Sequence, residues 1–156
     1  MNRILSPIAL IALLFTSACG AEKLPDPSAV ESKSVLSELR DMRRAYERKD
    51  RGAVMTEVSD SYKDRQDLST ALSAIFSKYE TVRLNIQYTK MVITIEEKGI
   101  ARATFNWDGE WTAHGGNAQK DGGRVTMIFE AGSLKLLAID GKNPFVPQPG
   151  ETPGKQ

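Results

Sequence analysis

The chain is 156 residues long, 40% hydrophobic and 26% charged, which suits one folded domain and is too apolar for a disordered polymer. Arg3 is the only charged residue before Cys19, so residues 19–156 carry 20 Lys+Arg against 20 Asp+Glu. That balance offers no basic excess to displace counterions from phosphates, and nucleic acid is set aside as a partner.

The chain opens MNRILSPIALIALLFTSAC: a basic residue, an apolar run from Ile4 to Phe15 broken only by Ser6 and Pro7, then small residues before cysteine. This is the pattern of a signal peptide over residues 1–18. About 12 helical residues span only about 18 Å, short of the roughly 30 Å hydrocarbon core, so a permanent membrane helix is not expected. Thr16, Ser17, Ala18 and Cys19 resemble the lipobox of bacterial lipoproteins, with threonine where that class usually has leucine. The resemblance implies cleavage after Ala18 and lipid attachment through Cys19. Two or three acyl chains, at about 0.8 kcal/mol per buried methylene, would give the lasting membrane attachment that one chain cannot. It also implies a lipid-anchored protein of the cell envelope. In a Gram-negative cell the same resemblance, with Gly20 in place of aspartate, implies the outer membrane, facing the periplasm. Cys19 is the only cysteine, which leaves no disulfide within the chain. Residues 19–29, with Pro25 and Pro27, read as the lipidated N-terminus and a tether of at most about 40 Å.

A helix is expected from Ser28, which stands at capping-box spacing from Glu31, with Val35, Leu36, Leu39, Met42 and Tyr46 as its apolar stripe. Asp50 can cap a short second helix through Ala53, Val54 and Val58. After a turn at Ser59–Ser61, Asp64 can cap a third, striped by Leu68, Leu72, Ile75, Phe76 and Tyr79.

Beyond Glu80 the period changes to two. Val82, Leu84, Ile86 and Tyr88 alternate with polar residues in a first strand, and residues 91–97 form a second. Glu97, Lys98 and Gly99 turn into a third, where Ala101, Ala103, Phe105, Trp107 and Trp111 share one face. Residues 113–123, AHGGNAQKDGG, are too polar and glycine-rich for a strand and read as a hairpin connection. RVTMIFE and SLKLLAID supply two more strands, and residues 146–156 read as a disordered, proline-rich tail.

Helices followed by antiparallel strands define an α+β domain over residues 30–145. AYERKDRGAVMTEVSDSY, ATFNWDG and GRVTMIFEAGSLKLLAIDGKNPF resemble the NTF2-like superfamily, with Leu134 where a G-x-W pattern often places tryptophan. The resemblance implies a cone: three N-terminal helices packed in a curved, mainly antiparallel sheet of about five strands, a pocket at the open end, and a homodimer through the outer sheet face. Tyr62, Phe76, Tyr79, Phe105, Trp107, Trp111, Met127 and Phe129 either fill the core or line that pocket, where they would take a small apolar ligand.

His114 is the only histidine, on the polar side of the third strand beside the glycine-rich loop, and reads as an exposed loop residue. The sequence shows no zinc-ligand set and no Ser-His-Asp pattern, and it calls for no metal or cofactor. The loop GGNAQKDGGR lacks the ending of a phosphate loop, and a strand follows it. Asp60 and Asp64 read as turn and cap residues with Tyr62 as a corner anchor, not as an acid/base set. The expected function is a non-enzymatic small-ligand or protein-interaction module, with an isomerase or dehydratase-like enzyme using the cone pocket as the rival.

Overall fold

A computed structural model of the protein describes residues 27–96, 99–130 and 132–148. The expected signal segment, Cys19 and residues 149–156 lie outside these described residues.

Helix α1 covers Pro27–Glu47, α2 Arg51–Thr56 and α3 Arg65–Lys78; strands follow at Tyr79–Ile86 (β1), Val92–Glu96 (β2), Ile100–Ala113 (β3), Ala118–Glu130 (β4) and Leu136–Gly141 (β5). The expected three helices are thus two long ones and a six-residue α2. Helix α1 already contains Pro27 and Ser28, so Ser28 is not an N-cap. Proline is tolerated in a first helical turn, where its missing N–H would have no partner.

Val35, Leu39, Met42, Ala45 and Tyr46 form the buried stripe of α1, with Leu36 at its margin. The helix ends in a Schellman motif: Asp50 N–H donates to Ala45 O (2.9 Å) and Lys49 N–H to Tyr46 O (2.9 Å). Lys49 takes the left-handed position (φ 57°) that usually falls to glycine. Its side chain accounts for the choice, since Nζ donates to Phe76 O (3.1 Å) and Tyr79 O (2.9 Å) at the end of α3. One cation therefore satisfies the last carbonyls of a second helix.

Asp50 caps α2 as expected, accepting from Ala53 N–H at 2.9 Å. Asp64 occupies the N-cap position of α3, but its side chain makes no capping bond. Val58 lies beyond α2, in a bridge with Leu136.

All pairings in the five-stranded sheet are antiparallel: β1 and β2 both pair with β3, β3 pairs with β4, and β4 with β5. Tyr88 is not in β1 but in a short 3-10 turn, Tyr88–Lys90. The alternation in β3 is as read, with Ala101, Ala103, Phe105, Trp107, Gly109 and Trp111 buried against the helices.

The largest departure is in AHGGNAQKDGG. Strand β4 begins at Ala118 and pairs residue by residue with β3 from Thr112↔Ala118 to Trp107↔Gly123, so only residues 114–117 make the turn. Composition misleads here because the glycines serve close approach. A Cβ on Gly122 would sit 2.9 Å from Trp107 O, and one on Gly123 would sit 2.9 Å from the Lys142 side chain.

The segment after β5 also departs from a disordered tail over its first residues. Phe145 is 2% exposed, Val146 packs on the core, and Gln148 is hydrogen-bonded through its main chain.

Candidate functional site

The polar groups that face the helix side of the sheet gather where α1 ends and where β3 and β4 approach their turn. Trp111 Nε1–H donates to Tyr46 Oη (2.7 Å), and Tyr46 O–H donates to Phe145 O (2.9 Å). Trp107 Nε1–H donates to Lys142 O (3.0 Å). The indoles meet edge to face, with centroids 6.3 Å apart and planes at 89°, and the Phe145 ring lies 5.1 Å from that of Tyr46. Burial pushes the Tyr46 phenol well above its ordinary range, with the Trp111 bond opposing, so it stays a neutral donor.

Beside this chain lies a second one. Tyr79 O–H donates to Gln119 Oε1 (2.6 Å), and Gln119 Nε2 donates to Gln148 O (2.8 Å). The Asp121 side chain, 10% exposed, pairs with Lys142 Nζ and accepts from the main-chain N–H of Gly122 (2.8 Å) and Gln148 (3.0 Å). Burial alone would raise its pKa. The Lys142 bond, the two main-chain donors and the lysine charge outweigh that and hold the carboxyl below its ordinary value.

Residues 142–148 thus run as a strap across this end of the domain. They supply the acceptors that Trp107, Tyr46 and Gln119 meet, and the cation that Asp121 meets.

Of the eight residues expected to fill the core or line a pocket, Phe105, Trp107, Trp111, Met127 and Phe129 are at most 2% exposed within the core cluster. Tyr79 is buried at its margin with its hydroxyl on Gln119, and Phe76 packs against Tyr46 at 5.5 Å. Tyr62 lines a groove of about 350 Å³ between α3 and the end of β5, with Leu68, Ile139 and Val146. Burial, then the charge of Asp64, raises its phenol pKa.

A larger groove, about 640 Å³, runs along β1, β3 and β4, and its walls are charged. Most of those charges are partnered, Arg43 with Glu47 (3.1 Å), Lys120 with Glu110 (3.3 Å) and Asp108 with the Asn85 amide (2.9 Å), while Arg83 also lines the wall. Glu47 Oε1 also accepts the N–H of Leu84 (3.0 Å), satisfying an amide on the sheet edge. His114 is exposed in the β3–β4 turn, as expected. Among the described residues no group of three His, Cys, Asp or Glu side chains could hold a metal ion.

Sequence reasoning passed over Tyr46 as a stripe residue and Gln119 and Asp121 as loop, and gave Lys142 no role. The available signal was Phe145-Val146, the apolar pair in an otherwise polar, proline-rich stretch.

One titratable pair lies elsewhere. Glu38 Oε1, on α1, is shut off from solvent. Its carboxyl pKa is pushed up to about 7 by burial first, then by a hydrogen bond and charge repulsion from Glu57 and by Asp41, with Lys135 opposing. Unfolded, Glu38 gives up its proton near 4.5. Between these values the folded state binds the extra proton, so this contribution is complete below about pH 4.5 and disappears as pH rises through 7. Glu38→Gln keeps the neutral form and should be about 1 kcal/mol more stable than wild type at pH 8, a value discounted for solvent screening. Urea unfolding at pH 5 and pH 8 measures it. An unchanged pH slope in the variant would contradict the assignment.

The architecture places the chain among proteins of the NTF2-like fold. It matches an NTF2-like superfamily protein from Salmonella enterica serovar Typhimurium with a TM-score of 0.63 at 10% identity, over 81% of this chain and 99% of that one. A candidate aromatic ring hydroxylase from Novosphingobium aromaticivorans matches with a TM-score of 0.63 at 11% identity, over 71% and 87%. A candidate dehydratase of the NTF2-like family from Streptomyces avermitilis matches at 0.57 and 12%, over 72% and 95%. At these identities the likeness is one of fold. No protein-family model and no curated protein matches the chain.

Proposed function

We propose that this chain is a lipid-anchored envelope protein, held to the outer membrane through Cys19 and facing the periplasm, whose NTF2-like domain is a non-enzymatic interaction module. The observation that carries the module reading is the strap. Where the fold would open a pocket, the donors Trp107, Tyr46 and Gln119 and the carboxylate Asp121 are engaged by the chain's own residues 142–148. A hydrolytic or isomerising site would instead keep an acid or base free to reach a substrate. The interior aromatic rings then act as core, and recognition falls to the strap and the grooves beside it. The anchor reading is supported by the lipobox-like Thr16-Ser17-Ala18-Cys19 after an apolar run.

A second reading, an isomerase or dehydratase-like enzyme, draws on the fold shared with the candidate dehydratase. It requires the strap to leave before a substrate could enter. Metabolic labelling with a palmitate analogue tests the anchor. Wild-type chain should carry label that Cys19→Ala loses, and equal labelling of both would overturn it.

A further inference from the structure

Within one chain, the strap and its seat are related as ligand and receptor. The seat belongs to rigid elements: Tyr46 on α1, Trp107 and Trp111 on β3, Gln119 and Asp121 on β4. The occupant is one segment outside every helix and strand, presenting main-chain carbonyls at residues 142, 145 and 148. It adds an ammonium at 142 for Asp121 and an aromatic ring at 145 for Tyr46.

The segment is folded by its own local bonds. Phe145 N–H donates to Asn143 Oδ1 (2.9 Å), with Pro144 between them, the chemistry of an Asx turn. It leaves the sheet at Gly141, whose φ of 91° sits in the left-handed region. A Cβ there would stand 2.9 Å from Arg124 O, so the departure point is specified by the backbone.

A seat that reads carbonyls at three-residue spacing, a cation and a ring reads them equally in another chain. We propose that this end of the domain is a peptide-docking groove, kept filled by residues 142–148. Its outside occupant would be a short turn-forming segment of another protein, bearing lysine or arginine and, three residues later, an aromatic side chain. This rests on the interaction-module reading and names its partner class. The strap then acts as a built-in competitor that sets how strongly a partner segment must bind, since a tethered occupant is present at an effective concentration on the order of millimolar.

The test uses the full chain. Phe145→Ala weakens the resident occupant, and the acetylated peptide GKNPFVPQ, matching residues 141–148, is titrated against it. The fluorescence of the chain's two tryptophans, Trp107 and Trp111, reports the docking. The variant should bind the peptide saturably and at least about ten-fold more tightly than wild type, where the intact strap competes. Alanine for the peptide's lysine or phenylalanine should each cost about ten-fold. An unrelated peptide keeping only the lysine, Asn-Pro turn and aromatic spacing should bind, and a scrambled one should not. Adding Asp121→Asn to the chain should abolish the penalty for losing the peptide's lysine.

Lys142→Ala, at the half-exposed rim, serves as the weakened chain if Phe145→Ala does not fold. The proposal is overturned by absent saturable binding to a folded weakened chain, or by equal binding of the intact and altered peptides. Neither result would alter palmitate labelling, and lost labelling would not alter peptide binding, so the docking proposal and the anchor reading fail separately.

Discussion

Replacing Trp111 by alanine should lower the unfolding free energy by about 3–5 kcal/mol, a large part of the stability of a domain this size. Trp111 is wholly buried, lies edge to face with Trp107, and gives its indole N–H to Tyr46. Truncation removes the ring contacts and leaves a cavity that the paired β1, β3 and β4 strands cannot collapse to fill. Trp111→Phe helps to separate the two contributions, because it keeps an aromatic ring and most of the volume while removing the indole donor. Tyr46 still donates to Phe145 O, so this variant should cost about 1–2 kcal/mol. Urea denaturation followed by circular dichroism measures both, and a loss below about 1 kcal/mol for the alanine variant would contradict the packing.

Gly109→Ala should cost about 2–3 kcal/mol although it adds a single methyl group. A Cβ at position 109 would sit 2.4 Å from Trp111 Cη2 and 2.8 Å from Cζ3, and the ring has no solvent side into which to retreat. The clash involves Trp111, so adding Gly109→Ala to Trp111→Ala should be close to neutral, giving a coupling of about 2 kcal/mol in a double-mutant cycle. Additive losses would mean that Trp111 does not lie over Gly109.

These two residues also show how far the sequence could be read. The alternation in β3 identified Trp107 and Trp111 as sharing the buried face, because strand period two is written directly in the order of side chains. What the alternation omits is the partner across the sheet. The polar, glycine-rich stretch 118–123 looks like a loop by composition, yet long pairing with β3 recruits it. Its glycines are explained only once Trp107 and Lys142 are placed against them.

Helix α1 is similar. Its stripe is periodic and legible, but Lys49 in a left-handed position makes sense only through its contacts with Phe76 and Tyr79, about thirty residues away. The strap was the least legible part. Its order comes from donors scattered over α1, β3 and β4, and its local composition favours a solvated tail.

Hydrogen exchange at the two indole N–H groups tests the central claim, that residues 142–148 occupy the end of the domain. Trp107 donates to the strap itself and Trp111 to Tyr46 beneath it. Both indole protons should exchange at least about a hundred-fold more slowly than those of free tryptophan. Phe145→Ala should release Trp107 more than Trp111. Exchange of the Trp107 indole at the free rate in the intact chain would contradict the account.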